Sequence, residues 1–145
     1  MDGGGRSLGA RALLSLISVG AMSRGDLGER LGLSPATTTR TVRPLIEAGL
    51  IEEQPPVEVG GPGRPTRLLA VAPNSATVAG IKLTADRLYA VLTDPLGEVL
   101  IDDSLPLIET DAESVTSLIA SVVMRLAERS GRRPDAIGIS LGAAV

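Results

Sequence analysis

The chain contains no cysteine and no histidine. Without cysteine there is no disulfide and no thiol chemistry, which fits a reducing compartment. Without histidine there is no Ser-His-Asp triad, and a zinc site of the usual Cys/His kind cannot form. Phe and Trp are also absent, and there is a single Tyr, so Leu, Val, Ile and Ala must build whatever core exists. No apolar run reaches the roughly 18 residues that span a bilayer. What remains is a chain of 145 residues that is 43% hydrophobic and 21% charged, the balance of a globular protein. Its 17 Gly and 10 Pro call for many turns.

The net charge is −3, unevenly spread. Residues 1–70 carry eight Arg against seven Asp/Glu, a balance of +1; residues 71–145 carry six Lys/Arg against ten Asp/Glu, a balance of −4. An acidic chain is not a nonspecific nucleic-acid coat, so any DNA contact has to come from a local basic patch in the front half.

That front half is organised around Leu33 to Leu50, LSPATTTRTVRPLIEAGL. Ser34 is a helix cap, and Pro35 fits the first helical position, where no amide donor is needed. At helical spacing Thr38, Val42, Leu45 and Gly49 share a packing face, with Ile46 beside them. Ala36, Thr39, Arg40 and Arg43 share an outer face, with Thr37 alongside. Pro44 crowds the Arg40 carbonyl and predicts a bend or break there. Ahead of this helix, residues 1–7 read as a disordered tail, and Leu13, Leu14, Leu16 and Ile17 recur at helical spacing from about Leu8 to Val19. Ala12 to Met22 has the length of a short signal sequence, but the same residues make a sound first core helix. Ser23 and Asp26 form a capping-box-like start for a second helix, which Gly32 ends.

After the third helix, Leu50 to Gln54 and Thr66 to Ala72 read as two strands joined by PPVEVGGPGRP. Three helices followed by a hairpin predict a winged helix-turn-helix over residues 8–73. The third helix would meet the DNA major groove through Ser34, Thr37, Thr39, Arg40 and Arg43, chiefly with its first two turns. In the wing tip, Arg64 is flanked by Gly and Pro and suits the narrow minor groove. Arg67 is expected on backbone phosphate.

Pro73 to Ala76 is a turn and the expected domain boundary. Beyond it, Val78 to Leu83, Leu88 to Thr93 and Val99 to Leu105 are strand candidates, with a turn at Asp94 to Gly97. Thr110 to Glu113 reads as a capping box that opens a helix to Ser130. Its inward residues are Val115, Leu118, Ile119, Val122, Val123 and Leu126. Ala136 to Leu141 reads as a buried strand. Gly138-Ile-Ser-Leu-Gly142 matches the nucleophile-elbow pattern, but no histidine exists to activate Ser140 and no helix follows. Asp102 and Asp103 are strand neighbours and face opposite ways. No phosphate-binding or dinucleotide fingerprint and no metal spacing is present. No cofactor, catalytic residue or metal ligand is therefore expected.

Three stretches carry a family resemblance: MSRGDLGERLGLSPATTTRTVRPLIEAGLIEE, the wing GGPGRPTRLLAVAP, and GIKLTADRLYAVLTDPLGEVL. Together they resemble the N-terminal portion of ROK-family transcriptional regulators, with AIGISLGAAV similar to a later strand of that family. The resemblance implies an α+β chain: a winged helix-turn-helix, then over 77–145 the incomplete start of a sugar-kinase-like, actin/ribonuclease-H-like lobe. It implies a cytoplasmic DNA-binding repressor of carbohydrate genes, without enzymatic activity, that acts on double-stranded DNA as a homodimer. A sugar effector would need the complete C-terminal domain. Kinases of the family open with an Asp-x-Gly-type turn; here Lys82, Thr84 and Ala85 stand at those positions, which speaks against ATP chemistry. The rival readings are the first part of a ROK sugar kinase and a winged helix that binds protein. The chain reads as truncated, and its second part is expected to leave apolar surface uncovered.

Overall fold

The computed structural model describes residues 3–56 and 66–142, with side chains from residue 8 onward. Arg64 and the rest of the expected wing tip lie outside the described residues. The chain divides into two compact units, Met1–Ser75 and Ala76–Val145. No helix among the described residues is long and apolar enough to cross a membrane.

The first unit is built from α1 (Gly3–Val19), β1 (Met22–Ser23), α2 (Arg24–Leu31), α3 (Pro35–Glu47), β2 (Ile51–Glu53) and β3 (Leu68–Val71). Its antiparallel sheet has the order β1-β3-β2. The two-residue strand β1 escapes any reading of periodicity, because it is too short to show alternation and exists only by pairing with β3. Helix α1 starts at Gly3, so the expected disordered tail over 1–7 is helical from that residue on. Elongating an existing helix adds one hydrogen bond per residue fixed, which offsets even the poor propensity of glycine.

The core of this unit joins Ala12 and Leu16 of α1 to Met22, Leu27, Val42, Ile51, Leu69 and Val71. Two of the residues expected to pack from α1 do not: Leu14 and Ile17 are 60% and 42% exposed. The buried face runs instead through Gly9, Ala12 and Leu16. Gly9 packs beside Leu45 of α3, whose Cδ2 is 3.6 Å from where a Cβ at position 9 would stand, so an alanine would fit there in ordinary contact. Apolar periodicity weighs large side chains and does not register a buried face made of small ones.

The second unit runs β4 (Val78–Leu83), β5 (Arg87–Thr93), β6 (Val99–Pro106), α4 (Ala112–Ser130) and β7 (Ala136–Leu141). The sheet order is β6-β5-β4-β7, antiparallel except for the parallel pair β4/β7. Three meandering strands, a helix and a parallel return strand make the partial actin/ribonuclease-H-like α/β lobe. The β5/β6 turn closes because Asp94 Oδ1 accepts the amides of Leu96 and Glu98, each at 2.9 Å, and Gly97 takes φ +90°. The strand neighbours Asp102 and Asp103 do point apart. Asp103 meets Arg125 and Arg129 of α4 at 2.9 and 3.3 Å, while Asp102 is exposed.

Two expectations for this unit need correction. The cap of α4 is Asp111 rather than Thr110: its carboxylate accepts the Ser114 amide at 3.0 Å. An ionised oxygen is the stronger acceptor for an orphan helix amide, which shifts the start by one residue. In addition, β7 is not buried; all six of its residues are exposed. Helix α4 packs over β5 and β6, with Val122 and Leu126 fully inside. It does not reach Ile137, Ile139 and Leu141, which are 52%, 56% and 79% exposed. A run of apolar residues reads the same whether or not a second layer covers it.

The cap makes a testable contribution. Its hydrogen bonds hold the Asp111 carboxyl below the usual carboxylate range, chiefly through the Ser114 amide and then the Ser114 side chain. A depressed folded-state pKa stabilises above the unfolded value, and this contribution fades as pH falls through the folded one. Asp111→Ala is therefore expected to lower the melting temperature of the second unit at neutral pH. The gap between the two proteins should close in acid. Calorimetric scans across that range check this, and a pH-independent gap would contradict it.

Candidate nucleic-acid interface

The reading surface is set by how α2 and α3 are locked together. Helix α2 begins with a full capping box: the Asp26 amide donates to Ser23 Oγ at 3.1 Å, and the Ser23 amide donates to Asp26 Oδ2 at 3.3 Å. It ends at Gly32, whose φ of +67° is a left-handed conformation that glycine adopts without strain. The Gly32 and Leu33 amides return to the Glu29 and Gly28 carbonyls at 3.1 and 2.8 Å. These bonds close the turn and aim the chain into α3.

The start of α3 is capped by Ser34, whose Oγ accepts the Thr37 amide at 3.3 Å and lies 2.9 Å from Thr37 Oγ1. Ser34 and Thr37 were expected to contact DNA; Ser34 is exposed and Thr37 half-buried, and each is engaged in the bonds of the cap. Thr38 and Val42 are buried, whereas Thr39, Arg40 and Arg43 are exposed, so the two faces divide as their spacing requires. Of the bend or break expected at Pro44, the break is absent; α3 runs through it to Glu47. Pro44 is exposed and removes one amide near the helix end. Proline leaves the Arg40 carbonyl without its usual helical donor, and water can satisfy such a group near a helix end.

The arginines differ in how they are held. Among the described residues the Arg40 side chain has neither an ion pair nor a hydrogen bond, and the residue is exposed. Arg43 Nε donates to Glu47 Oε1 at 2.7 Å, one turn further along the helix. That hydrogen bond and the adjacent charge raise the Arg43 pKa. Arg67, at the base of the wing, lies 3.9 Å from Glu53 Oε2. The same carboxylate takes a much shorter contact, 2.6 Å, from Arg24 Nη2. Arg24 was missed in the sequence, where it reads as one more charge in a helix start. Its role depends on Glu53, 29 residues away.

In the second unit, the positions that match the kinases' Asp-x-Gly turn but lack its residues hold a compact hairpin bend. Thr84 Oγ1 accepts the Arg87 amide at 3.2 Å and lies 3.1 Å from Asp86 Oδ1. Ser140 of the elbow-like motif sits on β7 with its Oγ donating to the Ile81 carbonyl at 3.4 Å. This is a strand hydroxyl with no activating base.

Comparison with known proteins agrees with this geometry. A MarR-family model matches residues 9–60, the helical part and first wing strand of unit one. The chain is 30% identical over 96 residues to the DNA-binding transcriptional repressor Mlc of Escherichia coli, covering 66% of this chain and 24% of that protein. It is 26% identical over 123 residues to the xylose repressor of Caldicellulosiruptor bescii, covering 83% of this chain and 31% of that one. A crystal structure of a ROK-family transcriptional regulator, a homologue of the Escherichia coli protein, superposes with a TM-score of 0.69 at 27% identity. That match covers 96% of this chain and 36% of the other. The chain thus spans about a third or less of the length of these relatives.

Proposed function

Since the chain belongs to the ROK family of transcriptional regulators, we propose that it is a sequence-specific DNA-binding regulator, a repressor of carbohydrate genes acting in the cytoplasm. One observation carries this reading. The outer face of α3 presents Thr39, Arg40 and Arg43 beside the capped start at Ser34 and Thr37. The turn at Gly32 and the buried Thr38 and Val42 hold that face in place. Arg40 and Thr39 would read base edges, Ser34, Thr37 and Arg43 would contact phosphate, and Arg64 and Arg67 would supply the wing. The carbohydrate link is supported by a relative named as a xylose repressor. A homodimer would present two such helices to the half-sites of a palindrome. Exposed Leu14 and Ile17 on α1 offer apolar surface that a second copy would cover. A sugar effector would act through a complete C-terminal domain.

The reading as part of a sugar kinase is disfavoured, because the relatives above are regulators and Lys82, Thr84 and Ala85 stand where the resemblance would want an Asp-x-Gly turn. The reading as a protein-binding winged helix predicts a different salt response. Phosphate contacts release counterions, so affinity for duplex DNA should fall linearly in log–log coordinates as salt rises. Fluorescence anisotropy on a duplex selected from random-sequence DNA, with sedimentation velocity for the mass of the complex, tests both proposals. Binding that is absent, or indifferent to salt, would refute the DNA assignment. A complex holding one copy per duplex would refute the dimer.

A further inference from the structure

We infer that Arg24 is a positioning residue for the wing: by occupying Glu53, it keeps Arg67 available for a DNA phosphate. This rests on the DNA-binding reading above. The register places Ser23 opposite Leu68 and Glu53 opposite Leu69. Arg24 and Arg67 therefore leave the β1/β3 ladder at the same end, with Glu53 on the far side of β3. All three side chains meet at one carboxylate. Arg24 Nη2 sits 2.6 Å from Oε1, while Arg67 Nη1 stands 3.9 Å from Oε2. The first is a short charge-assisted hydrogen bond; the second is too long for any hydrogen bond. The exposures follow the same order, with the Arg67 side chain 60% exposed and those of Arg24 and Glu53 41% and 31%.

Two cations and one anion leave this cluster with one positive charge to spare. The loosely held Arg67 carries it. Glu53 accepts from Arg24 first, so Arg67 can turn to a phosphate without abandoning a tight partner. Take Arg24 away and Arg67 becomes the one cation within 4.0 Å of that carboxylate among the described residues. A small rotation would then convert the long contact into a short one. DNA would have to compete with Glu53 for Arg67.

The test compares the unmodified chain with Arg24→Met, which keeps the apolar stem, and with Arg24→Met/Glu53→Gln. In the DNA-free chain, the side-chain Nε–Hε resonance of Arg67 is followed by NMR. It should become ordered in Arg24→Met and return to its original state in the double variant. An Arg67 resonance that does not respond overturns the inference, whatever happens with DNA. On a duplex selected from random-sequence DNA by the unmodified chain, Arg24→Met should bind roughly tenfold more weakly. Its salt slope should be smaller by about 1, and the double variant should regain both. A double variant as weak as Arg24→Met means that Arg24 touches DNA itself or merely supports the fold, and the positioning role falls. If Arg67 responds as expected while the unmodified chain binds no duplex, the DNA reading fails and the side-chain coupling stands.

Discussion

Arg40→Ala is expected to weaken binding to a selected duplex by about 1–3 kcal/mol, roughly five- to 150-fold, with no loss of thermal stability. The two halves of this expectation have separate causes. Arg40 lies nearly two turns past the Ser34 cap, on the exposed face of α3, and its side chain has no partner among the described residues. Truncating it breaks nothing in the folded chain, and surface changes of this kind usually leave stability within about 0.5 kcal/mol. Its planar fork is suited to the O6/N7 edge of guanine, and losing a bidentate pair removes discrimination along with affinity. Selection on the variant should therefore yield a consensus relaxed at one base position. If Arg40 only contacts phosphate, affinity would drop evenly across sequences and the salt slope would shrink by about 1. Arg43→Ala should act more weakly, because its guanidinium must first leave Glu47. An Arg40→Ala variant with unchanged affinity and consensus would remove the central contact from the proposed interface.

The outline of the fold was legible where one residue type has one dominant use. Ser23 with Asp26, Gly32, Ser34 with Pro35, and the turn from Asp94 to Gly97 all behave as their chemistry requires, since each acts on backbone groups within a few residues. The division of α3 into the faces of Thr38/Val42 and Thr39/Arg40/Arg43 follows from a period of 3.6. What escaped depends on partners distant in the chain. Strand β1 exists because β3 pairs with it, and Arg24 matters because Glu53 arrives from the wing. The exposure of β7 follows from α4 lying over β5 and β6, which its own apolar run cannot report. Leu14 and Ile17 misled for a related reason: they are larger than Gly9 and Ala12, yet α1 buries the face that carries the small residues. The DNA surface was read as a set of residue types on a face. The structure adds that Ser34 and Thr37 are engaged in the cap, that Arg43 pairs with Glu47 and that Arg67 shares Glu53 with Arg24, which ranks the residues in a way their spacing could not.

The geometry of that surface should be most sensitive to Gly28. This residue is buried in α2 where α3 crosses it. A Cβ built there would stand 2.7 Å from Thr38 Oγ1 and 3.3 Å from the Leu33 carbonyl oxygen. Neither neighbour gives way cheaply. Thr38 is 1% exposed and its hydroxyl donates to the Ser34 carbonyl at 3.1 Å, while Leu33 is backbone in the turn itself. Gly28→Ala gains about 1 kcal/mol of helix propensity, but overpacking a tight contact costs about 1–3 kcal/mol. A contact distance under any that real Cβ atoms adopt puts the cost at the upper end. The expected net destabilisation is about 1–2 kcal/mol, a fall in melting temperature of roughly 4–16 °C for a unit of this size. Gly28→Val adds a branched side chain to the same space and should cost more. Because the displaced atoms belong to the turn and first helical turn of α3, DNA affinity should fall as well, even at temperatures where the unit is folded. Thr38→Ala removes the oxygen that the new methyl meets. The double variant should thus be less destabilised than the two single losses added together, the signature of a direct steric coupling. Strict additivity in that cycle, or a Gly28→Ala protein that melts at or above the original temperature, would mean that α2 and α3 have room to separate. The recognition face would then be held by its caps alone rather than by close contact at Gly28.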